Sequence, residues 1–479
     1  ANFNWLYIFT VNASLAFLLF IGFSKFGNIR LGGYTAKPEF GDVAWFAMMF
    51  SAGIGIGIFF YGVAEPILHL NIPEAHQSGS SFDNFKVMYL HYGVHAWAIY
   101  MIFAIGLGYF SYNKGLPFAV RSLFYPLLKE KIYGIWGHII DTIATLAVLF
   151  GLATSLGLGA RQINAGLNYV FNIPNTPNVQ VILIIFITLI ATISVVSGVA
   201  KGIKWLSEAN LVITGVLLLG ITLIGPTGYI FSTYFSSMGV YFRDIISSGL
   251  FVAIEPADVS WQGAWTIFYL AWWIAWAPFV GTFIARISKG RTIRQLALGG
   301  LTLPTIVITS SMTILGASGI KLNELNNGAI AKAIESDIAI SLFEMFRYLT
   351  ESNILQMGLS IVAVIAVMIF FVTSSDSGSL VVCSLTSSGK ANVPKIQRVF
   401  WAFLEGTIAI SILLIGGEAA LTTLQSAVII LGLPFSVILL IIIFSLAKEL
   451  QHSYKKYSHN QNIKLKRRLD KINKDSKFE

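Results

Sequence analysis

The chain has 479 residues, 55% hydrophobic and only 11% charged, whereas an average soluble domain is about a quarter charged. That balance excludes a water-soluble enzyme or binding domain and puts nearly all of the mass in a bilayer. The net charge of +9 is gathered in loops and the tail, which points to cytoplasmic loops and away from nucleic acid, and a single cysteine, Cys383, excludes a disulfide framework.

Apolar runs long enough to cross the hydrocarbon core predict eleven spans: 5–23, 43–61, 87–110, 139–158, 179–199, 206–224, 265–284, 301–315, 354–372, 399–415 and 428–446. The eighth is short, although Gly299 and Gly300 can extend it, and Gly432 with Pro434 predicts a kink in the last. Cations follow every odd-numbered span. Arg30 and Lys37 follow the first, Lys114 and Arg121 the third, Lys201 and Lys204 the fifth, Arg286 to Arg294 the seventh, and Lys390 to Arg398 the ninth. The positive-inside rule therefore puts the C-terminus in the cytoplasm and Ala1 outside. A chain that starts outside with neither signal peptide nor initiator methionine predicts a further span ahead of Ala1 in the full-length protein.

With the first span set aside as peripheral (1–30), two groups of five remain, 38–226 and 259–447. An amphipathic external segment (227–258) links them, and a basic tail (448–479) follows. An odd number of spans per group inverts the second relative to the first. The expected fold is thus an all-α membrane protein with a 5+5 inverted repeat and a site near the midplane where a helix is interrupted. The first helix of the first group carries the interruption, with Gly53, Gly55 and Gly57 in alternation after Ser51. Three glycines weaken a helix by roughly 1 kcal/mol each and expose carbonyls to a cation or substrate; close helix packing through small residues is the alternative. The matching helix of the second group has a break signal at Pro278. Of the external segments, 225–249 and 327–351 read as surface helices, the second as a lid, or as ordinary loop helices packed on the spans.

Residues 268–286 read FYLAWWIAWAPFVGTFIAR, with Phe268, Trp272 and Trp276 four apart and Trp273 beside them. Helical spacing gathers these rings on adjoining faces. Aromatic faces without a nearby carboxylate suit a quaternary ammonium; interface anchoring is the competing reading. Trp97 and Tyr100, three apart in HYGVHAWAIY, can complete an aromatic box. His91 and His95 have metal-capable spacing but no third ligand nearby, so they read as polar histidines at a helix end. The ninth span ends IFFVTSSDSGS, where Thr373, Ser374 and their neighbours offer the neutral oxygens that suit sodium, or make a polar helix end capped by Asp376. Glu65 is an ionisable group near a span end, functional or interfacial.

These segments, FSAGIGIGIFFYGVAEP, HAWAIY, AWWIAWAPFVGTFIARISKGRTIR and FFVTSSDSGSL in that order, resemble the betaine/carnitine/choline transporters, and the likeness runs from Asn4 to Leu446. It is strongest to the sodium-coupled glycine betaine carriers of that family. The resemblance implies a bacterial cell-membrane secondary transporter of the leucine-transporter type, with twelve spans in the full-length protein, usually a homotrimer and active in osmotic protection. It implies that Trp97, Tyr100 and Trp273 box a trimethylammonium group, that Tyr92 stands where tryptophan is common, and that Leu270 stands where an aromatic is common. Phe268, Trp272 and Trp276 would line a path and gate on the cytoplasmic side, with Gly53, Gly55 and Gly57 against the substrate. Sodium would be held by backbone oxygens near Ser51 and Ile54, the Phe370 carbonyl, and the Thr373 and Ser374 hydroxyls, with a second sodium near Thr154 and Tyr100. In the family's sodium-independent carnitine exchangers an arginine replaces an ion, and the predicted spans here hold no mid-span Lys or Arg. Gly57 stands where proton-coupled choline carriers have aspartate, which favours a zwitterion. A sodium-independent exchanger and a non-transporting sensor or channel are the alternatives. Beyond sodium no cofactor is implied, and no nucleophile–base pairing or phosphate loop appears. The basic tail is drawn to anionic lipid or simply anchors the last span.

Overall fold

The computed structural model describes residues 3–33, 35–53, 56–197, 199–389, 393–416 and 419–475. These residues are helical, with one isolated antiparallel bridge between Arg30 and Thr292 and no strand. A chain threading hydrocarbon must satisfy its backbone polar groups internally, and an α-helix does so within one segment. In order the helices are α1 (Asn4–Phe23), α2 (Asp42–Gly53), α3 (Gly57–Tyr61), α4 (Ala64–Leu68), α5 (Asp83–Tyr92), α6 (Val94–Gly108), α7 (Tyr125–Leu128), α8 (Ile135–Phe171), α9 (Pro177–Ser197) and α10 (Val199–Ile224). There follow α11 (Thr227–Leu250), α12 (Pro256–Gln262), α13 (Phe268–Ile287), α14 (Gly300–Leu325), α15 (Ala329–Ser336), α16 (Ser341–Leu349), α17 (Asn353–Thr386), α18 (Lys395–Gly416) and α19 (Ala420–Asp475).

Among the described residues, 9 stretches are long and apolar enough to cross a membrane, and a tenth is made by α2 with Gly57–Asn71, the two parts bent by 59°. This is a multi-pass membrane protein. Over the described residues the predicted spans coincide with helices: 43–61 is divided between α2 and α3, 87–110 between α5 and α6, and 179–197 lies on α9, whose apolar part, Pro177–Ile193, is shorter. The stretches that contain α13 and α5–α6 form the centre: their most apolar parts are 100% and 94% buried, against 28% to 72% for the other spans. Around α13 pack α6, α8, α19 and α2, while α17 packs on α8, α10 and α18. Small residues allow the close crossings. A Cβ at Gly151 would lie 2.7 Å from the Trp276 indole, and one at Gly281 would lie 2.5 Å from the Phe103 ring. The segment after α1 is zipped to the segment after α13 by Leu31 N–H to the Arg291 carbonyl (2.9 Å) and Ile293 N–H to the Ile29 carbonyl (2.8 Å).

Several local expectations are corrected. Pro278 does not interrupt α13, which runs as one helix from Phe268 to Ile287; the departure from α geometry is a π-turn at Gly263–Ile267 just before it. A proline withholds only one N–H, and the neighbours that bury this helix tolerate the loss. The second interruption falls instead at Gly93, between α5 and α6, where a Cβ would lie 2.7 Å from the Tyr241 hydroxyl of α11. The eighth span extends to Leu325, well past the predicted end at 315. Likewise α17 continues to Thr386, so Asp376 is a buried mid-helix residue and not a terminal cap. Helix α19 runs through Gly432 and Pro434 without a break, which leaves the expected kink untested, and Gly432 serves as a contact: its Cβ would meet Ala271 at 3.1 Å. Segment 225–249 is indeed a long helix, α11. It buries Ile230, Thr233, Ser237 and Tyr241 on one face and exposes Phe231, Phe235, Phe242 and Ile246 on the other. Segment 327–351 forms α15 and α16, which pack on α14 and α17.

Candidate functional site

Tyr100 of α6 and Trp273 of α13 face each other with ring centroids 5.4 Å apart and planes at 71°. Tyr92, at the end of α5, meets Trp273 at 5.8 Å and 84°. These near-perpendicular contacts are the edge-to-face geometry that aromatic quadrupoles prefer, and they build corners instead of a stack. The Trp273 indole is fixed by its Nε1–H, which donates to the His91 carbonyl at 2.8 Å. That carbonyl lies within two residues of the interruption at Gly93, so the break in the helix helps set the indole.

The corners line a small cavity of about 20 Å³, roughly the room one water molecule needs. Helix α13 supplies Trp272, Trp273 and Trp276, the α5–α6 span supplies Tyr92 and Tyr100, the broken helix supplies Gly53, Ile56 and Gly57, and α8 supplies Ser155. No Asp, Glu, Lys or Arg is in this lining. Tyr100 Oη, Trp272 Nε1, Trp276 Nε1 and Ser155 Oγ are buried with no hydrogen-bond partner in the protein. Buried polar atoms are normally paired, and these four are unpaired on residues of the lining. The arrangement offers π faces to a cation and indole N–H donors to an acceptor. A Cβ at Gly57 would lie 3.5 Å from Tyr92 and 3.8 Å from Trp272, so a side chain there would enter the cavity between them.

Sequence reasoning placed most of these residues together. Trp97 differs: it meets Tyr100 edge-on at 5.7 Å and lies against Gly53, whose Cβ would be 2.5 Å from its ring. It stands behind the wall and is not in the cavity lining. Phe268 is also outside the lining; it stacks on Trp272 at 5.4 Å and meets Tyr61 at 6.4 Å. Eight residues of helix separate Phe268 from Trp276, about 12 Å along the axis, with Trp273 between them. Trp272 meets Trp276 at 6.5 Å, so the three rings form one row along α13. Ser155 and Ile56 were missed, because a lone serine or isoleucine in an apolar helix carries no signal.

Two proposed ligand residues, Ile54 and Gly55, lie outside the described residues. Nearby, the Ser51 and Ser374 hydroxyls are buried without a hydrogen-bond partner. Thr373 Oγ1 donates within its own helix to Ile369 (2.9 Å) and lies 3.1 Å from the Phe370 carbonyl. The Phe59 and Phe370 rings, 6.1 Å apart, set the broken helix beside α17. Two buried hydroxyls without partners, on helices α2 and α17 that pack together, are neutral oxygen donors of the kind that suits a monovalent cation. Thr154 Oγ1 donates to the Phe150 carbonyl at 2.9 Å, and its neighbour Ser155 reaches the cavity. Arg161 lies within α8, beyond the predicted end of the fourth span, and pairs with Asp337 at 2.9 Å. His91 and His95 stand at helix ends, in the last turn of α5 and the first turn of α6, and both are buried. Among the described residues no group of three or more His, Cys, Asp or Glu side chains is placed to hold a metal ion.

Comparison with known proteins agrees with this geometry. The family profile described as BCCT, betaine/carnitine/choline family transporter, matches residues 1–455. The chain is 42% identical over 459 residues to glycine betaine transporter 1 of Vibrio parahaemolyticus, covering 93% of this chain and 85% of that protein. It is 40% identical over 475 residues to the glycine betaine transporter OpuD of Bacillus subtilis, covering 98% and 90%. In fold it is similar to a Na+-coupled sialic acid symporter in a substrate-bound outward-open state, with a TM-score of 0.56, 16% identity, and coverage of 92% of this chain and 86% of that one.

Proposed function

This chain belongs to the betaine/carnitine/choline family of transporters, and on that premise we propose that it takes up glycine betaine, or a close trimethylammonium relative, by sodium symport. The observation that carries the reading is the cavity: three tryptophans and two tyrosines with no charged side chain in the lining. A trimethylammonium group cannot donate ordinary hydrogen bonds, so π faces replace water around it. The substrate carboxylate would meet the unpaired donors Tyr100 Oη, Trp272 Nε1 and Trp276 Nε1. The names of the relatives put glycine betaine first.

Sodium would sit between the broken helix and α17, held by backbone oxygens near Ser51 and Ile54, the Phe370 carbonyl and the hydroxyls of Thr373 and Ser374. A second sodium would sit near Thr154 and Tyr100. The orphaned Ser51 and Ser374 hydroxyls support the first of these. Because the ion and the cavity share the broken helix, sodium binding stiffens the wall that carries Gly53 and Gly57, and each ligand favours the other. Transport then proceeds by alternating access between 38–226 and 259–447, read as inverted five-helix repeats. The same reading includes a cytoplasmic C-terminus, a homotrimer in a bacterial cell membrane, anionic lipid at the basic tail and service in osmotic protection. Proteoliposomes test the central claim. Labelled glycine betaine should accumulate above its external concentration only under an inward sodium gradient. Sodium-independent exchange, or no accumulation, would overturn the reading.

A further inference from the structure

Behind the cavity wall runs a hydrogen-bonded chain that links α4, α5 and α13 to the box. Glu65 of α4 is wholly buried. Its Oε2 accepts from Tyr269 Oη at 2.6 Å, and its Oε1 lies 2.7 Å from His91 Nδ1. His91 Nε2 lies 3.0 Å from the Thr266 hydroxyl, and the imidazole stacks on the Tyr269 ring at 4.6 Å and 23°. Tyr92 Oη donates to Tyr269 Oη at 3.1 Å, with the Gly57 carbonyl as a second acceptor at 3.4 Å. Every one of these contacts closes when His91 is neutral and carries its proton on Nδ1. Glu65 then accepts twice, as an ionised carboxylate does, and Nε2 accepts from Thr266. His69 Nδ1, at 3.8 Å from Oε1, is beyond hydrogen-bond distance. Tyr92 and the Gly57 carbonyl bring this chain to the cavity lining, and with the protons so placed the carboxylate charge stands two hydrogen bonds behind a wall that has none.

We propose that Glu65 is the buried counter-charge of the aromatic box and sets its preference among trimethylammonium compounds by net charge, acting through Tyr269 and Tyr92. The proposal rests on the reading that the cavity takes such compounds. Two physical effects act in the same direction. A phenol that donates to a carboxylate has a more electron-rich ring, and Tyr92 passes its own proton toward that phenol, which strengthens its attraction for a cation. The field of the charge also reaches the cavity directly. Across on the order of 10 Å at an effective dielectric near 20, one charge changes the affinity for a monocation by on the order of tenfold. A zwitterion brings both signs into the same field, so its affinity changes less, by about threefold at most on the same Coulomb arithmetic. Glu65 is a positioning and specificity residue here; it does not touch the substrate.

The test is titration of intrinsic tryptophan fluorescence with choline, of net charge +1, and with glycine betaine, of net charge zero, at fixed sodium. Glu65→Gln should weaken choline by about tenfold while moving glycine betaine by about threefold or less. Glu65→Asp, which keeps the charge, should restore the wild-type ratio of the two affinities. A merely structural glutamate would shift both ligands by the same factor, and an unmoved ratio in Glu65→Gln overturns the proposal. If Glu65→Gln does not fold, Tyr269→Phe carries the test. It cuts the tie between the charge and the Tyr92 ring, so the choline preference must fall in the same direction, and an unchanged preference refutes the relay. Wild-type protein that binds glycine betaine but not choline at any concentration refutes the proposal alone. Wild-type protein that binds neither overturns the reading of the cavity, and the proposal with it.

Discussion

Trp273→Leu isolates the cation–π contribution of one wall. In the folded protein the Trp273 indole does two things. It presents a face to the cavity beside Tyr100 (5.4 Å) and Tyr92 (5.8 Å), and its Nε1–H anchors the His91 carbonyl at 2.8 Å. The first matters for binding. A desolvated cation over a tryptophan is worth about 2 kcal/mol, which is about thirtyfold in Kd. The second is a neutral hydrogen bond, worth about 1 kcal/mol net, and it acts mainly on stability. Trp273→Phe separates them in part, because it keeps an aromatic face while losing the N–H together with the pyrrole half of the indole. Isothermal titration of the purified protein with glycine betaine at saturating sodium should give about a thirtyfold weaker Kd for Trp273→Leu. For Trp273→Phe the loss should be only a few-fold, on the order of one neutral hydrogen bond or less. The control ligand is the carbon isostere of glycine betaine, in which a tert-butyl group replaces trimethylammonium. It fills the same volume without charge, so its affinity should respond far less to Trp273→Leu. Equal losses for the two ligands would refute the cation–π argument and leave Trp273 as packing.

Other perturbations follow from the same geometry. Thr373→Ala combined with Ser374→Ala should raise the sodium concentration needed for half-maximal betaine uptake while leaving uptake at very high sodium largely intact; unchanged sodium dependence would remove the proposed ion site. Gly53→Ala puts a methyl 2.5 Å from the Trp97 ring, an overpacking that costs about 1–3 kcal/mol, so both the thermal midpoint and the affinity for betaine should fall; a neutral outcome would mean that Trp97 is free to move. Asp141→Ala breaks the buried pair in which Arg121 Nε donates to Asp141 at 2.5 Å. Leaving the guanidinium uncompensated costs about 3–5 kcal/mol, so thermal stability should drop sharply while the substrate Kd of the surviving folded protein stays the same.

Hydropathy and residue spacing are local properties, and they carried the parts of the molecule that local rules govern. The membrane class, most of the spans, the exceptional aromatic content of 268–286 and the glycine-rich interruption were legible, because lipid imposes length and apolarity on each segment separately. The likeness to a transporter family supplied the grouping of Trp97, Tyr100 and Trp273. What failed was also local in form. Pro278 and Gly93 are both helix-weakening residues, and nothing in the neighbouring sequence says that the first is tolerated while the second marks an interruption. The packing around each decides: α13 is enclosed on all sides, whereas Gly93 lies where Tyr241 of α11 leaves no room for a Cβ.

The sequence by itself determined that this chain is a helical membrane protein, with its aromatic residues concentrated on two spans and a helix weakened by glycine. Only the tertiary structure decided which of those aromatics share a cavity. It set Trp97 behind the wall and Phe268 out of the lining, and it brought Ser155 in. It also joined Glu65 to Tyr269 across 204 residues of chain. The reason is that a hydrogen-bond partner or a facing ring is chosen by which helices cross, and that choice depends on the packing of all the helices together. A carboxylate near a span end reads the same in sequence whether it faces lipid headgroups or a tyrosine. Once α4, α5 and α13 meet, one of its oxygens takes the Tyr269 hydroxyl and the other the His91 imidazole.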